Sequence, residues 1–223
     1  MKLEFNIPDT SFIFLKKDVS EIQKYSELVE KLVLPKKVEK FSELRKNEFI
    51  LGRLSASLAA KNLTGIELLE LDVLESRAPL WPEHLVGSIS HNQEYVCSLV
   101  GLKSQYKSIG IDLEELGRTK IELGKQILHP NDLKTIEGMK PEEVLTIIFS
   151  CKEALFKLLH PLVHQFFGFQ EAYVEAVDLK NNCFSIVLNT DLSKDLGATV
   201  GQKYNGYLCI QGRNCLALLL LNC

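Results

Sequence analysis

Apolar side chains recur at helical spacing in two long segments of the chain. The first segment covers residues 42–63 and carries a stripe made of Phe49, Ile50, Leu54, Leu58 and Leu63. Ser42 is a suitable N-cap, and Gly65 provides a stop signal after the last apolar position. The second segment covers residues 141–159, and Pro161 is expected to end it. The pattern therefore predicts two long amphipathic helices.

Alternating and short apolar runs predict strands around these helices. They lie at 86–90, 94–101 and 108–114, and again at 173–177, 184–188, 207–210 and 215–221. The polar stretch 103–108 is the best boundary, and it separates an N-terminal half, 1–108, from a C-terminal half, 109–223. Each half combines a long helix with a few strands, so the expected class is α+β with antiparallel sheets.

Composition places the chain among ordinary globular proteins. It has 223 residues, 46% hydrophobic and 25% charged, and a net charge of −3, which excludes a global basic field for nucleic acid. The longest apolar run, residues 215–221, is far shorter than the ~20 residues of a membrane span. Lys16, Lys17 and Asp18 interrupt the early apolar run, so no signal peptide is expected. The six cysteines lack C-x-x-C spacing and are interpreted as reduced, buried side chains of a cytoplasmic protein.

Positive charge is concentrated in the segment 31–53. This segment contains three acidic residues and seven basic ones: Lys31, Lys36, Lys37, Lys40, Arg45, Lys46 and Arg53. A solvated helix face explains such a pattern, and so does a wall that binds anions.

Acidic residues provide the candidates for metal and acid–base chemistry. Asp112 and Glu114 are two apart on a predicted strand and therefore share a face, which suits either a solvated surface or a divalent cation such as Mg²⁺. Glu153 and Lys157 are four apart on the second helix, where they can form an ion pair, or Glu153 can act as a base or third metal ligand. His160 and His164 have the spacing of a zinc pair, but the expected helix break at Pro161 argues against it.

The segment Gly87-Ser88-Ile89-Ser90-His91 places a histidine at a predicted turn, where it can donate to a phosphate. No G-x-S-x-G, Walker A or G-x-G-x-x-G motif is present. The residues alone thus indicate a metal-assisted reaction on a phosphorylated substrate and leave the substrate open.

Four segments, in order and at this spacing, resemble the 4′-phosphopantetheinyl transferases, in particular the branch that includes enterobactin-synthetase component D. They are RKNEFILGRLSASLAAKNLTG (45–65), RAPLWPEHLVGSISH (77–91), IGIDLE (109–114) and FSCKEALFKL (149–158). The resemblance implies a transferase that moves the phosphopantetheine arm of coenzyme A to a carrier-protein serine and releases adenosine 3′,5′-bisphosphate. It also implies two similar α/β subdomains related by a pseudo-twofold, with coenzyme A and Mg²⁺ in the cleft between them.

The resemblance assigns roles to the acidic motifs by position. Asp112 and Glu114 would be the metal ligands of the GIDLE motif. Glu153 would be the acid of the KEA motif, as metal ligand, catalytic base or both. Lys157 would lie near the transferring phosphate.

The basic residues would bind coenzyme A. Ser90 and His91 match the pair that contacts its phosphates, and Arg53 and Arg45 match basic positions that face the nucleotide. Relatives often carry a basic residue immediately before the proline, where this chain has Ala78, so Arg77 would act from one residue earlier.

The implied partners are coenzyme A and an apo acyl, peptidyl or aryl carrier protein, with siderophore and other nonribosomal peptide carriers favoured. The basic stretch 31–46 would serve either the carrier or the nucleotide. The expected protein is a monomer with no nucleic-acid partner. Two alternatives are a non-catalytic module that binds coenzyme A or carrier proteins, and an unrelated Mg²⁺-dependent phosphoryl enzyme.

Overall fold

A computed structural model describes residues 7–74 and 78–223 of the chain. The chain divides into two compact units. The first extends to Ile109 and includes Asn222 and Cys223, and the second covers Gly110–Leu221.

The first unit is a three-stranded antiparallel sheet against which a long helix packs. Its elements are β1 (Thr10–Lys16), α1 (Val19–Lys24), α2 (Ser26–Lys31), a 3₁₀ helix (Lys36–Lys40), α3 (Glu43–Thr64), β2 (Leu85–His91) and β3 (Tyr95–Leu102). The strand order is β1-β3-β2, with β3 paired antiparallel to both neighbours. Apolar side chains of α3, such as Leu51 and Leu54, are buried with Val96 of β3.

The helix α3 begins and ends at the predicted signals. The Ser42 side chain accepts a hydrogen bond from the backbone N–H of Arg45 (3.4 Å), and Gly65 ends the helix in the left-handed region at φ 79°. Glycine adopts that conformation without the steric cost that a side chain adds. Both ends of the predicted helix are therefore confirmed to within a residue.

Strand β1 was not predicted. The apolar run Phe12–Leu15 was considered only as part of a possible signal peptide, yet it forms the edge of the sheet against β3. A run of four apolar residues has no clear period, so its strand character becomes evident only through its pairing with β3.

The second unit contains a five-stranded sheet and the longest helix. Its elements are β4 (Tyr106–Glu115, which starts in the first unit), α4 (Gly124–Ile127), α5 (Pro141–Val163), β5 (Ala172–Asp178), β6 (Cys183–Leu188), β7 (Lys203–Gln211) and β8 (Asn214–Asn222). The strand order is β4-β8-β7-β6-β5. The core packs one face of α5, including Ile147, Leu155 and Leu158, against strand residues such as Val174 and Ile186.

The expectation that Pro161 ends the second helix was wrong. Helix α5 includes Pro161 and continues to Val163, where His164 caps it in the left-handed region. Proline removes one N–H donor from the last turn, and the buried Leu158 and Leu159 hold that part of the helix on the core. The break between His160 and His164 is therefore absent.

Two antiparallel sheets, each with a long helix, confirm the α+β class. All six cysteines are free thiols, but only Cys97, Cys151 and Cys215 are buried; Cys183 and Cys209 are partly exposed and Cys223 is exposed, so the expectation of burial is wrong for those three. Over the two described ranges, no helix is long and apolar enough to span a membrane.

Candidate active site

Strand β4 brings Asp112 and Glu114 against helix α5. A Cβ atom at Gly110, on the same strand face, would lie 2.0 Å from the carbonyl oxygen of Ala154, so only glycine permits this approach of the helix. The Ser150 hydroxyl of α5 donates a hydrogen bond to the backbone carbonyl of Asp112 (3.2 Å). The two predicted acidic motifs, on β4 and α5, therefore lie together within the second unit.

Lys157 forms an ion pair with Asp112. The Lys157 Nζ atom lies 2.7 Å from Asp112 Oδ1, and the Asp112 side chain is only 5% exposed. The sequence had suggested Glu153 as a partner for Lys157, one helical turn away. The ion pair with Asp112 instead joins strand β4 to helix α5.

Asp112, Glu114 and Glu153 together carry more negative charge than Lys157 compensates. Burial, reinforced by repulsion from Asp112, raises the pKa of Glu114 to about 7, although Lys157 opposes the shift. Burial and the Asp112 charge likewise raise the pKa of Glu153, again against the influence of Lys157. We call Asp112, Glu114, Glu153 and Lys157 the acidic cluster.

The acidic cluster is not preformed as a metal site. Across the described ranges 7–74 and 78–223, no three or more His, Cys, Asp or Glu side chains stand in a metal-holding arrangement. Hard carboxylate oxygens with an excess of negative charge are nevertheless the donors that Mg²⁺ prefers, so the residues fit such an ion chemically.

An apolar pocket of about 240 Å³ adjoins Glu153. Its lining consists of Lys152, Glu153, Phe156, Phe166, Phe167, Gly168, Phe169 and Ala172. Nothing in the local sequence pattern around Glu153 predicted this pocket. The run Phe166-Phe167-Gly168-Phe169 is the signal that could have indicated it.

Lys152, next to Glu153, has a structural role in the pocket wall. Its buried ammonium donates to Asp132 Oδ2 (2.8 Å) and to the carbonyls of Ile127 (2.8 Å) and Phe169 (2.9 Å). Asp132 also accepts from the backbone N–H of Val174 (2.7 Å). This network ties α5 to the segment that carries the pocket's phenylalanines.

A second, basic pocket of about 480 Å³ lies in the first unit. Its lining consists of Lys37, Phe41, Arg45, Glu48, Phe49, Gly52, Arg53, Val73, Pro79, Ile89 and His91. Both arginines lie over aromatic rings, Arg45 at 4.9 Å from the Phe41 centroid and Arg53 at 4.2 Å from that of Phe49. Such stacking holds the planar guanidinium groups in defined orientations.

Arg53 is the most firmly held cation of the basic pocket. Its Nε donates to the carbonyl oxygen of Leu71 (3.0 Å), and only 8% of the residue is exposed. Burial lowers its pKa to about 10, and the nearby Asp72 charge opposes the shift. The guanidinium therefore remains charged at neutral pH.

The structure brings together three of the predicted coenzyme A residues, Arg45, Arg53 and His91, in the basic pocket. His91 is exposed at the end of β2, whereas Ser90 before it is buried. Arg77 lies outside the described residues. Lys37 was already part of the basic segment 31–53. That Phe41 and Phe49 line the basic pocket became evident only from the fold.

Two protein-family models match this chain. Residues 34–101 match the 4′-phosphopantetheinyl transferase N-terminal domain, and residues 108–209 match the 4′-phosphopantetheinyl transferase superfamily. The acidic cluster falls within the second match. Arg45, Arg53 and His91 fall within the first.

Curated proteins with similar sequences carry the same description. The chain is 32% identical over 140 residues to 4′-phosphopantetheinyl transferase Npt of Nocardia iowensis (61% of this chain, 62% of the relative). It is 30% identical over 132 residues to 4′-phosphopantetheinyl transferase PptT of Mycobacterium tuberculosis (58% of each). Enterobactin synthase component D of Escherichia coli K12 is 33% identical over 117 residues (51% of this chain, 54% of the relative).

The matched regions thus span between half and two thirds of these relatives' lengths. The two family models, in contrast, together cover most of this chain and meet near the boundary between the two units. The chain therefore belongs to the 4′-phosphopantetheinyl transferase superfamily.

Proposed function

We propose that this protein transfers the 4′-phosphopantetheine arm of coenzyme A to a serine hydroxyl of an apo carrier protein. The reaction releases adenosine 3′,5′-bisphosphate and depends on Mg²⁺. The observation that carries the proposal is the acidic cluster of a member of this family, in which Lys157 pairs with Asp112 and the charges of Glu114 and Glu153 interact with both. A module that only binds coenzyme A has no need for this set of charges.

The basic pocket of the first unit is suited to the nucleotide end of coenzyme A. Lys37, Arg45 and Arg53 supply three cations, and His91 adds a ring that can donate a hydrogen bond. Guanidinium groups bind phosphate oxygens with two parallel hydrogen bonds, so stacked and oriented arginines suit a ligand that carries several phosphate groups.

The apolar pocket beside Glu153 is suited to the arm that is transferred. Pantetheine is an uncharged chain with methyl groups, and the pocket is lined mainly by phenylalanine side chains. An arm held there would place its phosphate end near Glu153 and the rest of the acidic cluster.

Asp112, Glu114 and Glu153 would hold the metal ion. A divalent cation in that position supplies charge neutralisation for a pyrophosphate, whose oxygens crowd negative charge together. Lys157, fixed by its ion pair with Asp112, supplies a further positive charge beside the same oxygens.

The reaction forms one bond and breaks another at the β-phosphorus of coenzyme A. The serine oxygen of the carrier bonds to that phosphorus, and the bond to the bridging oxygen of adenosine 3′,5′-bisphosphate breaks. The serine proton passes to the Glu153 carboxylate, directly or through a water molecule. The protein's contribution is mainly orientation and charge, as in phosphoryl transfer generally.

Carrier proteins of nonribosomal peptide or siderophore synthesis are the acceptors we propose, because relatives of this chain are named enterobactin synthase component D. A cytoplasmic, monomeric protein remains a prediction from the sequence.

Intact-mass spectrometry of an apo carrier protein tests the proposed reaction. With this protein, coenzyme A and Mg²⁺, the carrier is expected to gain the mass of one phosphopantetheine group. The gain should disappear with a chelator or in the Asp112→Asn variant, which keeps the side-chain shape but loses the charge that holds Lys157 and the metal.

A panel of peptidyl, aryl and acyl carriers makes a negative result informative. If coenzyme A binds but no carrier gains mass, the chain is a binding module. If phosphate is released from nucleotides without a carrier, the protein is a phosphoryl enzyme that does not use carrier proteins. A carrier Ser→Ala variant is the control for the site of attachment.

A further inference from the structure

Lys17, at the end of β1, makes two contacts that the proposed reaction does not use. Its Nζ atom lies 2.5 Å from Glu48 Oε1 and donates to the backbone carbonyl of Asn92 (2.9 Å). The Lys17 side chain is only 10% exposed, and that of Glu48 is 22% exposed. This pair is therefore more sheltered from solvent and salt than an ordinary surface ion pair.

Glu48 lies in the wall of the basic pocket. It shares that wall with Lys37, Arg45, Arg53 and His91, all of which suit an anionic ligand. An uncompensated carboxylate in the same wall would repel phosphate and weaken its binding. The ammonium of Lys17 removes that repulsion by pairing with the carboxylate.

The second contact of Lys17 reaches the turn that follows His91. The Asn92 side-chain oxygen accepts hydrogen bonds from the backbone N–H groups of Glu94 (3.0 Å) and Tyr95 (2.9 Å), which closes the turn between β2 and β3. Lys17 thus connects helix α3, through Glu48, with the turn next to His91.

We infer that Lys17 is a positioning residue of the basic pocket: it neutralises Glu48 and holds the turn beside His91, so that the pocket accepts a phosphorylated ligand. The inference rests on the proposed function, because it assumes that the pocket binds the nucleotide of coenzyme A. Lys17 acts through Glu48 and Asn92 rather than through the ligand.

Calorimetric titration with adenosine 3′,5′-bisphosphate and steady-state transfer from coenzyme A test this role in the full chain. Lys17→Met is expected to weaken binding of the bisphosphate about tenfold, because Glu48 then carries an unpaired charge. The KM for coenzyme A should rise by a similar factor while kcat changes little. The double variant Lys17→Met/Glu48→Gln should recover most of the lost affinity, because it removes the repelling charge as well.

Lys61→Met is the matched control. Lys61 also pairs with a glutamate, Glu67 (2.9 Å), but the Lys61 side chain is far more exposed than that of Lys17, and neither Lys61 nor Glu67 lines the basic pocket. The affinity of the Lys61→Met variant for the bisphosphate should equal that of the wild type.

Three results would overturn the inference, and they differ from one another. Wild-type affinity in Lys17→Met would show that Glu48 needs no compensation. Equal loss in the single and double variants, with a lowered Tm in both, would assign Lys17 a purely structural role. Failure of the wild type itself to bind the bisphosphate would remove the proposed function as well, whereas the first two results leave that function intact.

Discussion

Glu153 stands between two different environments. On one side are the charges of Asp112 and Lys157, and on the other is the apolar pocket lined by Phe156 and Phe167. A carboxylate at such a boundary can accept a proton from the serine hydroxyl while it remains close to the charged groups that bind phosphate. At the scale of the residue, Glu153 is thus the main candidate for the catalytic base.

Glu153→Gln is expected to abolish transfer, with a loss of at least about 100-fold, because the amide cannot accept the serine proton. Coenzyme A should still bind, since the basic pocket of the first unit is unchanged. Single-turnover transfer and calorimetric binding, measured on the same preparation, check the two halves of this prediction. Weakened binding with normal turnover of bound coenzyme A would instead assign Glu153 a role in binding.

At the scale of the elements, the contact between β4 and α5 decides whether the acidic cluster exists. Strand β4 is buried on both faces over most of its length, and Gly110 allows the backbone of α5 to lie directly against it. Because of that close approach, Lys157 pairs with Asp112, and the charge of Asp112 acts on Glu153. A larger residue at position 110 would separate the strand from the helix and so disperse the cluster.

Gly110→Ala should lower the free energy of unfolding by about 3 kcal/mol, since the new methyl group would collide with the backbone at Ala154 and Leu158. Transfer by the folded fraction should fall as well. Urea unfolding monitored by circular dichroism measures the first effect. Gly52→Ala is the comparison for stability, because a Cβ there would meet only Ile89 Cγ2 at 3.4 Å. Equal unfolding free energies for both variants would contradict the argument.

At the scale of the whole molecule, charge is distributed unevenly. The protein carries a net charge of −3, yet the basic pocket collects Lys37, Arg45 and Arg53 in one wall. Binding of a multiply charged nucleotide there works against the overall charge and depends on short-range attraction within the pocket. Screening by salt should therefore affect binding far more than it affects the stability of the fold.

Affinity for adenosine 3′,5′-bisphosphate should fall about tenfold or more as NaCl is raised from ~0.1 M to ~1 M, because the screening length shortens from ~10 Å to ~3 Å. Titration calorimetry over that range provides the measurement. Arg45→Ala should reduce the steepness of the salt dependence, since it removes one exposed cation from the wall. An affinity independent of salt would contradict a pocket built for phosphates.

The sequence by itself determined the α+β class, the two long helices and the acidic motifs on β4 and α5. These features follow from local periodicity, capping signals and side-chain chemistry, which neighbouring residues specify. Ser42 and Gly65 are clear examples, because each acts within one turn of its own helix.

Only the tertiary structure decided the remaining features. The pairing of Lys157 with Asp112, the phenylalanines around Glu153, the edge strand β1 and the contact of Lys17 with Glu48 each join residues that are distant along the chain, or depend on a neighbouring element. The extension of α5 through Pro161 likewise depends on core packing, which outweighs the local signal. Such contacts are set by how helices and strands pack, and local sequence patterns carry no direct record of that packing.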